Sequence, residues 1–199
     1  MAKKTSVALD LDGVLVDSVT LATRRLLESF GLNGPGEGII EHIKTYDIVS
    51  SLLPEELWEE GKRELRKIFQ DPEVYLSSPP FEGAVEFSNK IEENFDFVGY
   101  ITLRPEGVIR DTQRWLREWG FPKPENVFVP RGRDKGELMS LLGVWWILED
   151  DPEQVKGVLK RGLKGVLLDR PYNREENLPR AYSYNEFLSF LTLFTFQSP

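Results

Sequence analysis

The 199-residue chain has no cysteine and a single histidine, His42. The first absence removes disulfides, thiolate nucleophiles, iron–sulfur clusters and thiolate zinc sites. The second removes any metal centre built on several imidazoles, and any phosphohistidine chemistry that needs a second histidine. A Ser-His-Asp triad would have only His42 to draw on. A metal in this chain is therefore held by oxygens, which points to Mg²⁺ or a similarly hard ion. Positive charge is also scarce: 25 Lys and Arg stand against 33 Asp and Glu, for a net charge of −8. That balance argues against a nucleic-acid polymer as partner. It does not argue against a small phosphorylated ligand, because a bound cation reverses the local field. No apolar run reaches the ~20 residues that a membrane span needs. The longest, Phe187 to Phe196, is broken by Ser189, Thr192 and Thr195. Lys3 and Lys4 precede an apolar stretch that stops at Asp10, which is unlike a secretory signal. The expectation is a cytoplasmic protein that does not engage a membrane.

What is present is enough for a packed core: 40% of residues are hydrophobic and 29% charged, which is not the composition of a disordered chain. Ser6-Val7-Ala8-Leu9 reads as a buried strand. A helix follows over about 17–30, with Val19, Ala22, Leu26 and Phe30 at helical spacing and Gly31 as its stop. Residues 33–38 are a loop. A second helix begins near Pro54, carries Leu57, Gly61, Leu65 and Ile68 on one face, and ends before Asp71-Pro72. From Phe81 onward helices and strands alternate. Helices are predicted over about 83–94, 106–119, 134–142, 152–161 and 185–194, and strands over 95–102, 126–129, 144–148 and 165–168. Alternation with continuous apolar strands means a parallel sheet covered on both faces. A βαβ unit takes ~30 residues, yet Asp10 and Thr102 lie 92 positions apart. Removing 17–79 leaves a unit of normal size. The reading is an α/β Rossmann-like core over 1–16 and 80–199, with a small helical cap, 17–79, inserted after the first strand.

Ligands of open parallel sheets gather at the carboxyl ends of the strands, and there this sequence concentrates its polar groups. Asp10-Leu11-Asp12 ends the first strand. Residues two apart share a face, and carboxylates beside an apolar run cost free energy unless paired or metal-bound. Capping of the following turn is the plainer alternative. Thr102 and Arg104 end the second strand. Glu149-Asp150-Asp151 ends Val144-Trp145-Trp146-Ile147-Leu148. Asp151-Pro152 also looks like a helix cap followed by proline at the first position, which leaves Asp150 unexplained. If the two acidic groups meet, carboxylates ~4 Å apart repel by ~4 kcal/mol at an effective dielectric of 20, and a cation or shifted pKa values must relieve them. Lys135 begins the helix that leads into that strand. A threonine hydroxyl and a lysine ammonium suit a phosphoryl group. Arg104 suits either a phosphate or a carboxylate, with its strand-end place favouring phosphate.

The order Asp-x-Asp, Thr, Lys, acidic pair resembles the haloacid dehalogenase (HAD) superfamily of phosphohydrolases. Asp10 to Ser18 (Asp-Leu-Asp-Gly-Val-Leu-Val-Asp-Ser) matches its first motif; Ile101 to Pro105 resembles the second, Lys135 the third, and Glu149-Asp150-Asp151 the fourth. The chain is most similar to the 5′(3′)-deoxyribonucleotidase and bacterial nucleotidase branch. The segments behind that are Pro79 to Ala84, Thr102-Leu103-Arg104-Pro105 and Asp169-Arg170-Pro171-Tyr172-Asn173. Asp12 disfavours dehalogenation, since dehalogenases lack this second aspartate. The resemblance implies Asp10 as nucleophile, Asp12 as general acid and base, and Thr102 and Lys135 as partners of the transferring oxygens. It also implies Mg²⁺ held by Asp10, Asp150 and the Asp12 backbone carbonyl, with Glu149 or Asp151 orienting waters or ligating. The expected activity is a phosphomonoesterase with an aspartyl-phosphate intermediate, acting on nucleoside monophosphates. A sugar-phosphate or other metabolite phosphatase, a phosphomutase and a non-catalytic phospho-ligand module are the alternatives. Phe30, Tyr46, Trp58 and Tyr75 could stack on a base, although packing of the cap on itself is the blander reading. Arg131 and Arg133 read as a solvated loop, with attraction of anions as the alternative, and His42 as surface or structural. The aromatic terminal helix reads as packed on the core, with a homodimer contact as the alternative.

Overall fold

The computed structural model describes residues 5–34 and 38–195. Lys3 and Lys4, the middle of the 33–38 loop, and Phe196 lie outside them. In chain order the elements are β1 (Ser6–Leu9), α1 (Ser18–Ser29), α2 (Ile48–Leu52), α3 (Trp58–Ile68), α4 (Pro72–Leu76) and α5 (Ala84–Asn94). There follow β2 (Asp96–Ile101), α6 (Ile109–Glu118), β3 (Val127–Phe128), α7 (Lys135–Leu142), β4 (Trp146–Glu149), α8 (Pro152–Lys160), β5 (Lys164–Leu168), β6 (Arg180–Ala181) and α9 (Tyr184–Thr195). The strands form one sheet in the order β3-β2-β1-β4-β5-β6, and every pairing is parallel. This is the α/β, Rossmann-like architecture that the alternating pattern predicts.

The pleat sorts the strand residues onto two cores. Val7, Leu9, Trp146, Leu148, Val166 and Leu168 meet α5, α6 and α9 through Phe87, Ile91, Trp115, Leu116, Phe187 and Leu191. Ala8, Ile101 and Ile147 point the other way, to Met139 of α7 and Val158 of α8. With both faces covered, the middles of the central strands are apolar on both sides, and each buried large aliphatic or aromatic side chain contributes ~1.5–3 kcal/mol. Phe187 and Leu191 are fully buried, so α9 packs on the core as its apolar run suggests.

Between β1 and α5 the chain builds a second cluster of its own. Ala22 and Leu26 of α1, Val49 of α2, Ile68 of α3 and Val74 of α4 pack together, with Phe30 and Trp58 against them. Asp17 caps α1 by accepting from the Thr20 amide, and Asp71, followed by Pro72, caps α4. The five-residue α2 and α4 are too short to show a period in sequence. The chain leaves and rejoins the sheet side by side: Asp17 N–H donates to Pro79 O at 3.0 Å, and Phe81 N–H to Leu15 O at 2.9 Å. His42 is exposed, as expected of a surface residue. Arg131 is exposed too, while the Arg133 side chain is outside the described set.

The register between β1 and β2 slips by one residue, from Val7↔Phe97 to Ala8↔Gly99, and Gly99 takes φ 141° at that bulge. A Cβ there would collide with the Asn126 carbonyl oxygen, which already accepts from Tyr100 N–H at 2.8 Å. Gly99→Ala is therefore expected to lower stability by about 2–4 kcal/mol, read as a shift of the urea midpoint; an unchanged midpoint would contradict the steric account of this bulge.

Candidate active site

The carboxyl ends of β1, β2 and β4 bring the acidic groups together. Asp10 follows β1 directly, Glu149 closes β4, and Asp150 follows it. One carboxylate oxygen from each of the three lies within 4.8 Å of the other two, and all three residues are buried. Lys135, at the first position of α7, reaches into the same place. Its Nζ donates to Asp10 Oδ1 at 2.5 Å and to Glu149 Oε2 at 2.7 Å. The other oxygen of Glu149 accepts from the Asp150 and Asp151 amides, both at 3.2 Å. Asp151 accepts from Glu153 N–H at 2.8 Å and caps α8, so it serves the helix as its Asp-Pro sequence suggests.

Burial and crowding push these acids up. Asp10 and Glu149 are both raised by burial; the Lys135 ammonium opposes the rise at each, and their mutual repulsion adds to it at Glu149. Asp150 is pushed up to about 7, by burial first and then by the Asp10 charge. Burial alone would lower Lys135, but Asp10 and Glu149 more than offset it and hold the ammonium above its usual value. Three carboxylates thus face one ammonium. If all are ionised, two negative charges are left over, which is what one divalent cation balances. The donor set is oxygen only, as a hard cation requires, so the residues fit Mg²⁺.

Asp12 belongs to a separate polar group. Arg104 grips it with two nitrogens, Nε to Oδ2 at 2.8 Å and Nη2 to Oδ1 at 2.7 Å, while Ser18 donates to Oδ1 at 2.7 Å. At the end of β2, Arg104 puts its planar fork opposite the Asp12 carboxylate, a geometry that fork matches bidentately. The guanidinium is fully buried and its remaining nitrogen donates to Thr112. It also stacks 4.4 Å over the Tyr75 ring. Thr102, buried after β2, accepts the Arg104 amide at 3.2 Å through Oγ1.

Gly13 lets the chain turn between the two groups. Its φ is 76°, and a Cβ there would collide with Asp150 Oδ2 and lie 2.6 Å from the Tyr172 hydroxyl. The loop after β5 closes the back of the site. Tyr172 donates to Asp150 Oδ2 at 2.6 Å, Asn173 to the Asp150 carbonyl at 3.0 Å, and Arg170 to the Gly13 carbonyl at 2.6 Å. The sequence displays these residues only as the run 169–173, without a role. Their sole signal is position, directly after a core strand on the ligand-binding edge.

A cavity of about 510 Å³ opens between this edge and the helices of 17–79, with Asp12, Arg104 and Asp150 on one wall and Tyr46, Leu65 and Phe69 on the other. Of the four aromatics singled out in sequence, Phe30 and Trp58 pack within their own cluster. Tyr75 lies under Arg104, and Tyr46 is half exposed at the cavity. Among the described residues, no helix is long and apolar enough to cross a membrane.

Comparison with known proteins shows the family. A candidate nucleotidase of Bacillus cereus is 26% identical over 183 residues, covering 89% of this chain and 93% of that one. Another, from Oceanobacillus iheyensis, is 27% identical over 139 residues, covering 67% of this chain and 74% of that one. A haloacid dehalogenase-like hydrolase structure from Streptococcus pneumoniae superposes with a TM-score of 0.61 at 14% identity, over 96% of this chain and 99% of that one, and so shares the fold. Residues 4–194 match the family described as 5′ nucleotidase, deoxy (pyrimidine), cytosolic type C. Nearly the whole chain lies within that match, and the protein belongs to this family of HAD-type phosphomonoesterases.

Proposed function

We propose that the protein is a Mg²⁺-dependent phosphomonoesterase that acts on (deoxy)nucleoside monophosphates through an aspartyl-phosphate on Asp10. One observation carries the reading: three buried carboxylates share a site with a single ammonium, two charges short of balance. The cation would be held by Asp10, Asp150 and the Asp12 backbone carbonyl, and when bound it supplies positive charge to the phosphoryl oxygens.

The remaining chemistry falls to the chain itself. The Asp10 carboxylate attacks phosphorus in line, the ester P–O bond breaks, and Asp12 gives the departing alcohol its proton. Water then attacks phosphorus while Asp12 takes its proton, the bond from phosphorus to the Asp10 oxygen breaks, and inorganic phosphate leaves with the Asp10 carboxylate restored. Lys135 favours the ionised form of Asp10 against the rise that burial imposes and, with the Thr102 hydroxyl, faces the transferring oxygens. Such catalysis is mostly positioning and electrostatics. Arg104 and Ser18 keep Asp12 aimed along the cavity, and residues 17–79 act as a cap that excludes water and selects the leaving group. The cavity volume and its aromatic and aliphatic walls suit a nucleoside.

A second reading, a sugar-phosphate or other metabolite phosphatase, draws on Lys62 and Arg66. One helical turn apart on α3, both line the cavity wall opposite Asp12 and Asp150, where they suit a substrate with a second anionic group. The same proposal places the enzyme in the cytoplasm, with a small metabolite rather than a polymer as its partner.

Turnover of nucleoside 5′- and 3′-monophosphates against a panel of sugar phosphates and nucleoside bisphosphates, with and without Mg²⁺, separates the two readings. Asp10→Asn is expected to lose at least about 10³-fold in kcat while melting no lower than the parent; retention of most activity would refute the nucleophile. The acid cluster also sets a pH dependence. Because Asp10, Glu149 and Asp150 are raised, the folded chain binds more protons than the unfolded one between the ordinary carboxylate range and about 7. Metal-free stability therefore falls as pH rises through that window. Melting curves from pH 5 to 8 should show this decline, smaller in Asp150→Asn and smaller again with Mg²⁺ present; a decline of equal size in all three would contradict the charge account.

A further inference from the structure

The loop after β5 holds a residue that the proposed chemistry leaves without a task. Tyr172 is 5% exposed, and its hydroxyl is spent on one contact, the 2.6 Å bond to Asp150 Oδ2. Its neighbours fix the ring. Asn173 donates both to the Asp150 carbonyl and to the Leu168 carbonyl at 3.0 Å, and its Oδ1 accepts from Arg170 N–H at 3.1 Å and Arg180 Nη1 at 2.6 Å. Arg170, which bonds Gly13, lies 3.9 Å over the Phe81 ring. Tyr172 is thus carried on a braced turn rather than a free loop.

Two geometric facts give the hydroxyl a direction. Asp150 Oδ2 is enclosed, with Gly13 on one side leaving no room for a Cβ and the tyrosine hydroxyl on another. Opposite its hydroxyl, the Tyr172 ring packs with Val19 and Ile43, and Tyr46 meets it edge-on at 5.9 Å. All three neighbours belong to the helical segment 17–79.

We infer that Tyr172 is a positioning residue for the cation: by occupying Asp150 Oδ2 it fixes the carboxylate plane and leaves Oδ1 to ligate. The inference rests on the Mg²⁺ reading above and adds a residue to it. Partners of this kind set metal affinity through the ligand that they orient.

Mg²⁺ titration of the full chain by calorimetry tests this directly. Tyr172→Phe keeps the ring and its packing and removes only the hydroxyl. Its Kd for Mg²⁺ should rise about tenfold or more, and the Mg²⁺ concentration for half-maximal turnover should rise in step. Turnover at saturating Mg²⁺ should stay close to that of the parent. Tyr46→Ala, which removes the ring contact but not the hydroxyl, serves as a second variant and should leave the Mg²⁺ Kd unchanged. Equal Mg²⁺ affinity in parent and Tyr172→Phe overturns the inference and leaves the cation reading standing. An equal loss in Tyr46→Ala overturns it as well, since packing alone would then explain the effect. A parent chain that takes up no Mg²⁺ overturns the cation reading, and the inference with it.

Discussion

Burying charge is costly, and this molecule buries four ionisable groups in contact at one edge of its sheet. Asp10, Glu149 and Asp150 converge on a place where, among the described residues, Lys135 is the one cation paired with them. Each close pair of like charges costs ~4 kcal/mol at an effective dielectric of 20, so the arrangement persists only because the core overrides it. The strands that end there are the most enclosed parts of the chain: Leu9 and Leu148 have no exposed surface. Their parallel pairing, with Leu9 opposite Leu148, brings Asp10 level with Glu149, and the Asp10 amide bonds the Leu148 carbonyl at 3.0 Å. The hydrophobic effect, acting on residues that never touch a ligand, is what holds the acids closer than they would choose.

The polar groups of the site fall into two sets. Asp10, Glu149, Asp150 and Lys135 form one; Asp12, Ser18 and Arg104 form the other, and the turn at Gly13 runs between them. The partition suits the proposed division of labour. In that proposal the Lys135 ammonium favours the charged form of Asp10 against the effect of burial, while Asp12 is held by the Arg104 guanidinium. Two aspartates two positions apart can then serve opposite ends of one bond.

Much of this was legible in the sequence because strand ends are. An apolar run that stops on Asp10-Leu11-Asp12, or on Glu149-Asp150-Asp151, marks both a buried strand and the polar edge beyond it. The spacing from Asp10 to Thr102 likewise reveals that the intervening stretch does not belong to a single crossover. The contacts that depend on the path of a loop were not legible. Nothing in the run 169–173 says that Tyr172 meets an acid 22 positions earlier. That a guanidinium 92 positions away meets Asp12 shows only when the two strand ends are set side by side. The two-residue β6 is defined by its pairing with β5 rather than by any pattern of its own.

The narrow neck through which the chain leaves and rejoins the sheet has a consequence for inheritance. Val16 and Pro80 pair as an antiparallel bridge, flanked by the Asp17–Pro79 and Phe81–Leu15 hydrogen bonds. Whatever lies between those anchors starts and finishes at almost the same point in space. Its length and sequence therefore place little demand on the register of β1 and β2, and loop closure penalises a longer excursion only weakly. The excursion also carries its own apolar cluster. A lineage can therefore vary its length without disturbing the pairing of β1 with β2, so long as the residues of the excursion that touch the site, Ser18 on Asp12 and Tyr75 under Arg104, keep their places.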